Sequence, residues 1–110
     1  MKIEVQQIDR EAVIKLSGRL DITTSPDVRK KALTILAEHQ CKSLTIDFTG
    51  VSYIDTSGLA TLLEILVTAK EKCAPLALSG LNEKVRYLIE VNGLAGFFGV
   101  ESSVEEKLNA

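Results

Sequence analysis

Leu44-Thr45-Ile46-Asp47-Phe48-Thr49-Gly50-Val51-Ser52-Tyr53-Ile54-Asp55-Thr56-Ser57-Gly58-Leu59 carries the chain from one periodicity into another. Leu44 to Phe48 alternates apolar and polar residues, as a half-buried strand does, whereas from Leu59 onward the apolar residues recur at helical spacing. Asp55, Thr56 and Ser57 therefore fall at a helix start. Backbone N–H groups there lack intrahelical acceptors, and the helix dipole adds partial positive charge. The position suits a side-chain oxygen or an added phosphate.

The same two periods recur on either side. Ile3 and Val5 alternate with polar neighbours, Asp9-Arg10-Glu11 makes a polar turn, and Ala12, Ile14 and Leu16 resume the alternation, which predicts an opening antiparallel hairpin. Gly18-Arg19-Leu20-Asp21 closes its second strand. Ser25-Pro26-Asp27 then signals a helix start with a capping hydroxyl, a proline and an early acid, and the helix is expected from Pro26 to about Glu38. Downstream, a strand is expected over Ser43 to Phe48 and a helix from about Ser57 to Lys72. Pro75 ends that run and introduces a strand at Leu76 to Ser79. Asn82 is placed to cap a third helix with Val85, Leu88 and Ile89 inward, and Asn92-Gly93 to stop it. Phe97, Phe98 and Val100 are expected near the end of the sheet, with a last short helix from Ser103 to about Leu108.

This order predicts one α/β domain over residues 1–110, with a small mixed sheet: an N-terminal hairpin, then parallel strands joined by right-handed crossovers. About four helices are expected, mainly on one face, because the strands alternate rather than being apolar throughout. The chain has 110 residues, 45% hydrophobic and 25% charged, with a formal charge of -2. That balance provides no basic footprint for nucleic acid or anionic lipid. The longest apolar runs fall short of the roughly 20 residues that span a bilayer. Cys41 and Cys73 have neither CxxC spacing nor a histidine cluster, and Met1-Lys2-Ile3-Glu4 leads into a strand instead of a signal peptide, so a reduced, cytoplasmic protein is expected. Both cysteines are expected as small buried residues near helix ends.

Asp55, Thr56 and Ser57 have two readings. All three can be helix caps, with Ile54 and Leu59 as a hydrophobic staple. Against this, one cap suffices for a helix, and Gly58 inside the first turn weakens it by about 1 kcal/mol relative to alanine. Gly58 is then expected as clearance beside Ser57, admitting another protein's backbone or a phosphate. The helix that follows has a narrow polar stripe of Thr61, Glu64, Thr68, Glu71 and Lys72, leaving Ala60, Ile65 and Val67 at the margins of a wide apolar arc. Either neighbouring helices cover that arc, or part of it is exposed beside Ser57.

At these residues the chain resembles the STAS family, named for sulfate transporters and anti-sigma factor antagonists. The resemblance rests on Gly18-Arg19-Leu20-Asp21, the run from Leu44 to Val51, Tyr53-Ile54-Asp55-Thr56-Ser57-Gly58-Leu59, and Leu94-Ala95-Gly96-Phe97-Phe98. It implies an anti-sigma factor antagonist. In such a protein the unphosphorylated form binds an anti-sigma factor with serine kinase activity and frees a sigma factor, and phosphorylation of the second hydroxyl residue, here Ser57, ends the interaction. Asp21 corresponds to an acid that takes part in partner binding and phosphorylation. The partner-binding set is then Asp21, Asp55, Thr56, Ser57, Gly58 and Ala60, with a phosphatase as a further candidate partner. A related branch, the small subunits bound to the ATPase of lipid-transporting ABC systems, would make Thr56 the key residue.

Other signals are weaker. His39 and Cys41 fall short of the three or four ligands that a metal needs. No GxxxxGK[ST] or GxGxxG loop is present, so no nucleotide cofactor is expected. Ser57 as a catalytic nucleophile would need a base and an orienting group, and a single histidine elsewhere supplies neither; a non-enzymatic protein is expected.

Overall fold

A computed structural model describes residues 1–38 and 41–98. Its strands are β1 (Lys2–Ile8), β2 (Glu11–Leu20), β3 (Ser43–Ile54) and β4 (Leu76–Ser79). The helices are α1 (Ser25–Ala37), α2 (Thr56–Glu71), α3 (Glu83–Val91) and the single turn α4 (Ala95–Phe98). The sheet has the order β1-β2-β3-β4. β1 pairs antiparallel with β2, and the β2–β3 and β3–β4 pairs are parallel. The small mixed sheet and its hairpin are as expected.

Register explains why one face is polar. Glu4, Lys15, Asp47 and Ser79 lie in one cross-strand row, whereas Val5, Ile14, Ile46 and Leu78 lie in the next, facing the other side. On that second side Ala12, Ile14, Leu16, Leu44, Ile46 and Phe48 are buried together with Val28, Leu36, Leu62, Ile65, Val85 and Ile89 of the helices. The helices therefore cover one face, and the opposite face meets water. Coverage thins toward β1, where Val5 remains 38% exposed.

β3 runs six residues past Phe48, the end that alternation predicts. Two register shifts against β2, at Lys15/Ser17 and Gly18/Arg19, place two residues of β3 opposite one step of β2. Thr49-Gly50 and Ser52-Tyr53 thus both turn outward while Val51 and Ile54 stay buried, which breaks the period-2 pattern without ending the strand. Gly50 is required at the first bulge, since a Cβ there would lie 2.6 Å from Ser17 Oγ and 2.9 Å from the Leu16 carbonyl.

The helix signals hold with small corrections. Thr24, not Ser25, precedes α1 and makes no side-chain cap; Ser25 is buried and donates its hydroxyl to the Asp21 carbonyl at 2.6 Å. Asn82 caps α3 by accepting from the Val85 N–H at 2.8 Å, and Gly93 follows in the left-handed region at φ 72. The turn α4 was not expected, and Phe98 within it is buried. Cys41 is half-buried and Cys73 exposed, both as free thiols, so the expectation of two buried cysteines fails. Val100, His39, the Phe97 side chain and the Ser103 to Leu108 helix lie outside the described residues. No described helix is long and apolar enough to cross a membrane.

Candidate functional site

β2 and β3 are parallel neighbours, so the loops leaving their C-terminal ends emerge side by side. One hydrogen bond couples them: the Asp55 N–H donates to the Leu20 carbonyl at 3.2 Å. Asp21 begins the loop into α1 immediately after Leu20, and Asp55 caps α2, accepting the Gly58 N–H at 2.9 Å. Gly58 is buried at this junction. A Cβ on it would lie 2.7 Å from the Leu20 carbonyl, 2.7 Å from Ile54 Cγ1 and 2.9 Å from Leu20 Cγ. The expected role of Gly58 as clearance for a partner is therefore corrected: its missing side chain makes room for the end of β2, inside the molecule.

The two acids are committed to structure. Asp21 accepts N–H groups from Thr23 at 3.0 Å and Thr24 at 3.2 Å, together with the Thr24 hydroxyl at 3.3 Å, and lies 3.7 Å from Arg19. Burial pushes the Asp21 carboxyl up, but the donors of Thr24 and Thr23 and the Arg19 charge outweigh it and leave it below its ordinary 3.8. Arg19 in turn stacks over Tyr53, 4.2 Å from the ring centroid. Because the folded-state pKa is depressed, the contribution of this carboxylate is fully present above about pH 5 and is lost as pH falls through 3.8 and below. The stability difference between wild type and Asp21→Asn should thus be constant from pH 7 to about pH 5 and shrink toward pH 3, as urea unfolding at each pH will show.

The hydroxyls of Thr56 and Ser57 are uncommitted. Neither makes a hydrogen bond among the described residues, and since no buried side-chain oxygen lacks a partner, the half-buried Ser57 keeps its Oγ open to solvent. Thr56 is exposed at the helix tip. Ser57 opens onto a groove of about 350 Å³ between α1 and α2, lined also by Ile22, Ser25, Pro26, Arg29, Ala60 and Thr61. Of the expected set, Ser57 and Ala60 line this groove, whereas Asp21, Asp55, Thr56 and Gly58 are not among its lining residues. A larger depression of about 560 Å³ lies on the other flank of α1, against Met1, Ile3, Lys30 and Lys31. Asp27 and Thr34 complete its lining, which does not include the start of α2.

α2 departs from the expected stripe. Thr61 is buried and Ile65 is fully buried, while Ala60 and Val67 are exposed with Glu64 between them. Two neighbours of Ser57 escaped the sequence reading. Ile22 is 73% exposed at the loop tip, and an isoleucine among Asp21, Thr23 and Thr24 is the signal that could have found it. Arg29 forms a two-pronged pair with Glu64, Nε to Oε2 at 2.6 Å and Nη2 to Oε1 at 2.7 Å. That pairing depends on how α1 packs on α2, which periodicity does not specify.

The molecule is thus a small α/β domain with a hairpin-led mixed sheet, helices on one face and an uncommitted hydroxyl at the start of α2. The STAS domain model matches residues 2–107, and the chain belongs to that family. It is 30% identical over 110 residues to the anti-sigma-B factor antagonist of Listeria monocytogenes, covering 99% of this chain and 95% of that one. In fold it is similar to a crystal structure of a putative anti-sigma factor antagonist from Thermotoga maritima, with TM-score 0.82, 18% identity and coverage of 97% and 92%. It also matches the phosphorylated form of the Bacillus cell fate determinant SpoIIAA, with TM-score 0.72, 20% identity and coverage of 98% and 97%.

Proposed function

We propose that this protein is a cytoplasmic, non-enzymatic anti-sigma factor antagonist. Its unphosphorylated form binds an anti-sigma factor that is also a serine kinase and so frees a sigma factor; phosphorylation of Ser57 by that kinase ends the interaction, and a phosphatase resets it. The observation that carries this reading is the Ser57 hydroxyl, open to solvent and unbonded while Asp55 alone does the capping. The relative from Listeria, named for antagonism of an anti-sigma factor, favours it over the ABC-subunit reading. Asp21, Asp55 and Gly58 hold the loop and helix start in register, and Ser57, Thr56, Ala60 and Ile22 present the docking surface. The kinase supplies ATP and magnesium; the bond from Ser57 Oγ to phosphorus forms as the bond to ADP breaks, and the hydroxyl proton leaves to the kinase's base.

Incubation with radiolabelled ATP and the anti-sigma kinase encoded nearby tests this. Wild type should be labelled to about one phosphate per chain, Ser57→Ala not at all, and Thr56→Ala should retain labelling. Labelling that survives in Ser57→Ala overturns the assignment.

A further inference from the structure

The groove beside Ser57 contains one cation among its lining residues, Arg29. Lys30 and Lys31 face the other flank of α1, and Arg19 is engaged with Asp21 and Tyr53. Arg29 is held by Glu64, which stands seven residues after Ser57 on the same line of α2, about 10 Å along the axis. Helical side chains lean toward the N-terminus, which carries the Glu64 carboxylate and its bound guanidinium back toward Ser57. The pair is well formed but exposed, with 49% and 44% of the two side chains in contact with water. Water screens an exposed pair of this kind, so a more highly charged anion in the same groove can compete with Glu64 for the guanidinium.

We infer that Arg29 is the internal receiver for a phosphoryl group on Ser57: on modification its guanidinium leaves Glu64 and pairs with the phosphate, crossing the groove between Ile22 and Ala60. This rests on the reading of Ser57 as the phosphorylated residue. A phosphate brings about two negative charges and three acceptor oxygens against one charge on Glu64, and its geometry suits the planar fork of arginine. The exchange gives modification a second consequence. Besides adding charge at Ser57, it moves a guanidinium over the apolar floor that a partner would otherwise cover.

The test uses the full chain with phosphoserine installed at position 57 by codon suppression, so it does not depend on any kinase. The second ionisation of the phosphate is followed by phosphorus NMR. Arg29→Gln should raise its midpoint by about half a unit or more, Glu64→Gln should lower it by freeing Arg29, and Arg29→Lys should fall between wild type and Arg29→Gln. Identical midpoints in wild type and Arg29→Gln, or a shift of opposite sign, overturn the inference. Were Arg29→Gln unable to fold, Arg29→Lys decides alone: a midpoint above that of wild type supports the exchange and an unchanged one overturns it. Loss of the kinase-labelling result would sink the reading of Ser57 without altering these midpoints.

Discussion

Gly58→Val should lower the unfolding free energy by about 3 kcal/mol and the melting temperature by more than about 10 °C, the expected scale for a domain of this size. Two effects oppose one another at this position. On helix propensity alone, replacing glycine by alanine inside the first turn of α2 would stabilise by about 1 kcal/mol. The Cβ, however, arrives 2.7 Å from the Leu20 carbonyl, which is backbone and already accepts the Asp55 N–H. Relief requires pushing the end of β2 away from α2, which strains that hydrogen bond and the Asp55 cap together. Overpacking of this kind costs about 1 to 3 kcal/mol per inserted group, so even Gly58→Ala should come out destabilised by about 1 to 2 kcal/mol, and the branched valine by more. Urea unfolding of both variants measures this. An alanine variant more stable than wild type would restore the view of Gly58 as open clearance and remove the proposed link between the two loops.

How far the sequence reveals this molecule follows from which forces are local. The hairpin, the three longer helices and the order of the parallel strands are written in periods of two and 3.6, and in Pro26, Pro75, Asn82 and Gly93, whose backbone preferences act within a few residues. The second half of β3 was hidden because its two bulges turn consecutive residues outward, and no local rule separates a bulge from the end of a strand. α4 is one turn, too short for any period to register. The site was half legible. Asp55, Thr56 and Ser57 announced a helix start, yet which oxygen caps and which stays free is decided by backbone geometry, with the Asp55 carboxylate taking the Gly58 N–H. The polarity of Thr61 points to solvent, yet the residue is buried, in the groove that α2 shares with Ser25, Pro26 and Arg29 of α1. Arg29 and Glu64 are unremarkable surface charges until α1 and α2 are packed together, and the same packing makes Ile22, Pro26 and Ala60 neighbours.

Ser57→Asp should weaken binding of the anti-sigma kinase by about a hundredfold, roughly 2.7 kcal/mol, while leaving the fold as stable as wild type or slightly more so. The two halves of this prediction have different causes. A carboxylate in the first turn of α2 sits where unpaired N–H groups and the helix dipole favour negative charge, worth about 0.3 to 1 kcal/mol, so the free protein has no reason to rearrange. Binding is another matter, because a partner that closes over Ile22, Pro26 and Ala60 removes water from Ser57. A hydroxyl tolerates that when it finds one acceptor or donor on the partner; a carboxylate beside Asp55 loses its hydration with little in return unless the partner supplies a cation. Calorimetric titration of the kinase with wild type, Ser57→Ala and Ser57→Asp, alongside thermal unfolding of each, separates charge from shape: Ser57→Ala should bind within a few-fold of wild type. An aspartate variant that binds with unchanged affinity would mean that the partner does not desolvate this position, and a switch by charge alone would be overturned. Since the aspartate carries one charge and phosphoserine about two, the loss measured for Ser57→Asp sets the least that phosphorylation should achieve.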